Sequence, residues 1–183
     1  MPDRPLNATA ASLLGFLHEG PMTGWDLVAA AKQRIGDFWS LTQSQVYREL
    51  TSMAAAGLVR AGEPGRRDRR PYEITDAGRA AFTEWVTRPP GPETIRIPLL
   101  LTVLFGRHLP ADLLRGHLAE HRRAHAERLA FYQQVDEQLP AEAAEEEPYG
   151  VATLRFGLAY ERAVLDWFDA LPSHLSPTPD PPP

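Results

Sequence analysis

Apolar positions in the first half of the chain recur every three or four residues, in short stretches broken by turn formers. That is the pattern of amphipathic helices joined by tight connections. The spacing predicts a first helix from Asn7, as N-cap, through Glu19, with Leu13, Leu14, Phe16 and Leu17 on its apolar side and Gly20-Pro21 ending it. Thr23 opens a second helix, with Asp26 completing a capping-box-like arrangement. This helix carries Trp25, Leu27, Val28 and Ala31 and ends near Arg34. An apolar-rich connector, 37–41, leads to a third helix that starts at Thr42, has Gln45 as box partner and runs to Ala56, with Gly57 as C′ residue. The period then changes. LVRA (58–61) and PYEIT (71–75) read as short strands flanking GEPGRRDRR, and Thr75 caps a fourth helix, Asp76 to Val86, bearing Ala80, Phe82 and Trp85. Helix–helix–helix–strand–loop–strand is the order of a winged helix-turn-helix.

TRPPGPE (87–93) breaks the fourth helix and reads as a linker. Beyond it, residues 94–171 read as wholly helical: IRIPLLLTVLFG, a long segment from Pro110 to about Leu139, and a last helix over 149–171. The acidic run at 140–148 reads as a solvated loop or frayed helix end, and the proline-rich tail as disordered. The fold class is therefore mainly α: a winged helix-turn-helix domain at 1–88, an all-helical domain at 94–171 and a disordered tail at 172–183.

Charge changes the picture. The whole chain has a net charge of −5 over 183 residues, yet residues 1–90 are at +1 and residues 91–183 at −6. Five arginines fall within residues 60–70 (Arg60, Arg66, Arg67, Arg69 and Arg70), offset there by Glu63 and Asp68. Guanidiniums on a hairpin loop suit phosphates or a narrow minor groove. On a 100° wheel, the third helix puts Val46, Leu50 and Met53 on a core side. Ser44, Gln45, Arg48 and Thr51 fall on or near the opposite side, flanked by Gln43 and Tyr47. Arg can be bidentate to guanine and Gln to adenine. A solvated face would explain an isolated helix of this kind; beside an arginine-rich hairpin, the set points to double-stranded DNA.

These residues resemble the PadR family of transcriptional regulators. The matching elements are LLGFLHEGPMTGWDL (13–27), WSLTQSQVYREL (39–50), GLVR (57–60) and RRPYEITDAGRAAFTEW (69–85), in order and at the family's spacing. Trp25 stands where the family usually has Tyr, and Gln43 and Arg48 stand where it often has Pro. The helical second half resembles the longer PadR subclass by length and helical character. The resemblance implies a C-terminal dimerisation domain and a homodimeric repressor on an inverted repeat, released when a small aromatic or hydrophobic effector is sensed. Two symmetry-related third helices reach successive major grooves when they stand about 34 Å apart.

Two features of the second half remain. His117, His121 and His125 are spaced i, i+4, i+8, a spacing that can hold zinc or nickel. The same side carries Leu114, Leu118, Leu129 and Tyr132, so a packed stripe is the simpler reading, and no metal or other cofactor is assigned. Phe156, Tyr160 and Trp167 share a face of the last helix; they suit dimer-core packing or, alternatively, a flat effector. No phosphate-binding Gly-rich loop, nucleophile elbow or ligand set with a base is present, which argues against an enzyme. The absence of cysteine excludes disulfides and leaves the redox compartment unread; with no apolar run of membrane-spanning length and no signal-peptide pattern at the start, the expected setting is the cytoplasm, without membrane attachment. The competing readings are a winged-helix protein-interaction module and a metal-responsive regulator.

Overall fold

The computed structural model describes residues 6–63, 70–92, 95–140 and 142–175. It divides into two compact units, Met1–Pro92 and Glu93–Pro183.

In the first unit, α1 spans Ala8–Leu17, α2 Gly24–Arg34, α3 Gln43–Ala55 and α4 Asp76–Val86. All four start where a side chain replaces a missing intrahelical acceptor. Asn7 Oδ1 accepts from Ala10 N at 2.8 Å, and Thr75 Oγ1 from Gly78 N at 3.1 Å. Thr23 with Asp26 and Thr42 with Gln45 form complete capping boxes. Helix α1 stops two residues short of the expected Glu19, and Gly20 turns the chain at φ 141°. Gly57 ends α3 at φ 73°, a left-handed conformation that a glycine adopts without a Cβ clash. The connector after α2 is a 3₁₀ turn, Gly36–Trp39.

The sheet has three strands, in the order β1-β3-β2, with β1 at Met22–Thr23, β2 at Val59–Ala61 and β3 at Pro71–Ile74. Both pairings are antiparallel, Met22 opposite Tyr72 and Arg60 opposite Glu73. The pattern of residues did not predict β1, because two residues are too few to show alternation; its partner lies 50 positions along the chain. Leu13, Leu14, Leu17, Leu27, Val46, Leu50, Met53, Val59 and Ile74 form the core of this unit. Trp25, expected among the apolar positions of α2, is instead 55% exposed.

Gly78 lets α4 pack directly on Leu58, the residue leading into β2, and on Ile74 of β3. A Cβ at that position would lie 2.1 Å from the Leu58 carbonyl oxygen and 2.9 Å from Ile74 Cγ1. Thr75 adds to this junction, its hydroxyl donating to Gly57 O at 2.7 Å and its amide to Leu58 O at 3.1 Å.

The second unit consists of α5 (Pro98–Leu104), α6 (Ala111–Glu137), α7 (Ala143–Glu146) and α8 (Pro148–Asp169). Helices α6 and α8 pack together, and Leu99, Leu114, Leu118 and Phe168 form their core with Val164, Trp167 and Leu175. Two expectations change here. The acidic run contains the single-turn α7, which tucks Ala143 into the protein. The start of the tail folds back on the unit, with Leu175 against the core and Arg115 donating to His174 O at 3.3 Å. The remaining residues of the predicted tail, 176–183, lie outside the described residues. No helix is long and apolar enough to cross a membrane, among the described residues.

Candidate DNA interface

Helix α3 buries Val46, Glu49, Leu50 and Met53 and turns Gln43, Ser44, Tyr47, Arg48 and Thr51 outward. Arg48 is open, its side chain 71% exposed. Glu49, the helix's one carboxylate, points the other way and is 6% exposed. The outward face therefore carries a cation, amides and hydroxyls without an acid, and the helix N-terminus adds a partial positive charge. This is a surface suited to anions and base edges.

Three side chains on this face are partly committed. Gln45, read from the wheel as a groove-facing amide, folds back instead: its Oε1 accepts from Thr42 N at 2.9 Å and from Thr42 Oγ1 at 3.0 Å, which leaves it half-buried. Capping wins because it satisfies a backbone donor that would otherwise be orphaned. Thr51 donates its hydroxyl to the Tyr47 carbonyl at 2.9 Å. Tyr47 lies over Gly24, where a Cβ would come within 2.8 Å of two ring carbons. The first residue of α2 is thus the seat for an aromatic ring of the outward face of α3.

The hairpin rises beside this helix. Gly62 N donates to Pro71 O at 2.8 Å, extending the β2–β3 ladder toward the tip. Arg60 is not free to join the tip arginines: it pairs with Glu73 across the strands at 2.6 Å. The two face each other in register, a cross-strand pairing. Of the four tip arginines, Arg70 is described and exposed, while Arg66, Arg67 and Arg69 lie outside the described residues.

Glu49 is the residue the wheel missed. It sits three positions after Val46 and four before Met53, squarely on the core stripe, so the periodicity carried the signal. Its Oε2 accepts from Asn7 Nδ2 at 3.2 Å, and its Oε1 lies 3.6 Å from the Arg48 guanidinium.

In the helical unit the histidines separate. His125 turns inward, its Nδ1 2.5 Å from Glu161 Oε2, while Arg128 Nε donates to Glu161 Oε1 at 3.0 Å. Glu161 is 1% exposed, so this carboxylate is taken from water only because two donors meet it. His121 is exposed and His117 half-buried. No group of three His, Asp or Glu side chains able to hold a metal ion occurs among the described residues. The aromatic trio also divides. Phe156 and Tyr160 stack, centroids 6.5 Å apart at 21°, and Tyr160 approaches the His125 ring at the same separation. Trp167 meets Phe168 edge-on at 4.8 Å, within the core. Helix α5 leaves Leu100, Leu101 and Leu104 largely exposed, 46–69%.

Residues 13–84 match the family described as transcriptional regulator PadR-like, and residues 95–175 match the family described as virulence activator alpha C-term. Among named proteins, the negative transcriptional regulator PadR of Bacillus subtilis is 28% identical over 176 residues, covering 87% of this chain and 93% of that protein. Two solved forms of that regulator share the fold. The form bound to operator DNA has a TM-score of 0.74 at 24% identity, covering 91% of this chain and 97% of that one. The form with p-coumaric acid has a TM-score of 0.66 at 23% identity, covering 92% and 95%. The Vibrio cholerae virulence activator AphA has a TM-score of 0.70 at 29% identity, covering 92% of this chain and 96% of that chain.

Proposed function

Because the chain belongs to the PadR-like family of transcriptional regulators, we propose that it is a homodimeric repressor that binds an inverted-repeat operator through α3 and the wing. The observation that carries this reading is the acid-free outward face of α3, with Arg48 open and the helix's one carboxylate turned inward. Gln43, Ser44, Tyr47 and Arg48 read or grip the major groove, Gln45 through the amide nitrogen that the cap leaves over. Arg66, Arg67, Arg69 and Arg70 hold phosphates. The Bacillus PadR bound to operator DNA supports this arrangement by its fold.

Dimerisation belongs to the helical unit in this reading, and the exposed leucines of α5 supply apolar surface for it. The effector is a small aromatic compound, a chemistry favoured by the Bacillus PadR form with p-coumaric acid and by the stacked Phe156–Tyr160 pair. Trp167 is a weaker member of such a site, since it already packs against Phe168. A metal-responsive mechanism has less support, with His125 already engaged by Glu161. A protein-interaction module is less favoured by the family.

The test is fluorescence anisotropy with the duplex upstream of the protein's own gene against a shuffled duplex, at low and moderate salt. Tight binding that favours the native fragment, weakens as salt rises and is reversed by p-coumaric acid or a related phenolic acid is the expected result. Equal, weak binding to both duplexes counts against the operator reading. Tight binding that ignores phenolic acids counts against the effector alone.

A further inference from the structure

We propose that Glu49 is a positioning residue that makes Arg48 discriminate between DNA sequences; this rests on the DNA-binding reading above. A carboxylate 6% exposed is costly unless donors meet it, and among the described residues two groups do so: the Asn7 amide and the Arg48 guanidinium. Asn7 cannot turn away. Its Oδ1 caps α1 through Ala10 N, which directs its NH₂ group toward α3 and fixes Glu49 between the two helices. Neighbouring side chains on a helix diverge by about 100°, so Arg48 reaches Glu49 only by folding back along the surface. At 3.6 Å and 71% exposed, it is held loosely as an ion pair.

The pair therefore gives the Arg48 guanidinium an internal counter-charge. An unrestrained arginine neutralises whichever phosphate is nearest and strengthens binding to any duplex. An arginine already partly neutralised gains less from a lone phosphate. It gains most where a fixed bidentate acceptor, such as the O6 and N7 of guanine, rewards the reach. Glu49 thus lowers affinity for DNA in general and shifts the remainder toward base reading.

The experiment compares wild type, Glu49→Gln, Arg48→Ala with Glu49→Gln, and Asn7→Ser, all full length. The probes are a duplex recovered by in vitro selection with the wild-type protein and a shuffled duplex, across a salt series. Glu49→Gln is expected to bind the shuffled duplex more tightly, by at most on the order of tenfold near 0.1 M salt. Its salt slope should steepen by about one, and the ratio of selected to shuffled affinity should fall. The added Arg48→Ala change should abolish that gain. Asn7→Ser keeps a capping hydroxyl and removes only the amide that holds Glu49. It should move the ratio the same way by less, and it carries the test if Glu49→Gln does not fold. A tie that only joined α1 to α3 would weaken both duplexes equally at unchanged slope. That result, an unchanged ratio, or a gain surviving Arg48→Ala overturns the proposal. Failure of the selection to enrich any duplex would overturn the DNA-binding reading itself.

Discussion

Alanine in place of glycine inside a helix ordinarily stabilises, by about 1 kcal/mol, because glycine is the more flexible residue when unfolded. Gly78 of α4 and Gly116 of α6 should respond with opposite signs. At Gly116 an added Cβ has nothing within 4 Å, so Gly116→Ala should raise stability by about 0.5–1 kcal/mol. At Gly78 the Cβ would stand 2.1 Å from the Leu58 carbonyl oxygen, roughly 1 Å inside ordinary contact, and the neighbour is backbone with no rotamer to change. Helix α4 must then lift from the Leu58 backbone. That movement strains the Thr75 hydrogen bonds to Gly57 O and Leu58 O, each worth about 0.5–1.5 kcal/mol. Overpacking adds about 1–3 kcal/mol, and the helix-propensity gain returns about 1, so Gly78→Ala should cost about 1–5 kcal/mol. Urea unfolding of the full-length protein by circular dichroism measures both variants, and hydrogen exchange locates the loss to β2, β3 and α4. A neutral or stabilising Gly78→Ala would refute the close approach of α4 to the Leu58 backbone.

Other expected outcomes follow from the same structure. Arg48→Ala should lower discrimination between selected and shuffled DNA. Arg66→Ala with Arg67→Ala should weaken binding to both and flatten the salt slope by about two, each read by anisotropy. Glu161→Gln should destabilise by about 3 kcal/mol in urea melts, because it leaves Arg128 and His125 without their shared carboxylate. Replacing Leu101 and Leu104 together with Glu should convert a dimer to monomers in analytical ultracentrifugation without lowering helicity, since both side chains are exposed within the chain itself.

Local rules were legible along the chain. Asn7, Thr23, Thr42 and Thr75 cap the helices their positions announced, because a cap and its target lie within three residues. The hairpin strands and α3 followed from the same short-range grammar. Features joining distant positions were not legible. The two-residue β1 exists through pairing with β3, and His125 meets Glu161 at a separation of 36 residues. Gln45 satisfied two patterns at once, and the local hydrogen bond decided between them. Glu49 lay on the apolar stripe in plain view, but a carboxylate on a core face gains meaning only when its partner, Asn7, is brought across from another helix.

The short ladder between β1 and β3 has a mechanical consequence. Met22 and Thr23 run directly into α2, so the outgoing limb of the hairpin is bolted to the helix that braces the reading helix. The hairpin then resembles a jib on a fixed mast, its bearing set by the register of Met22 opposite Tyr72. In the DNA-binding reading proposed above, inserting or deleting residues between Gly62 and Pro71 would change which phosphates come within range without re-aiming α3 in the groove. On that reading, reach along the DNA backbone and choice of bases are separable, and each can drift while the other is held.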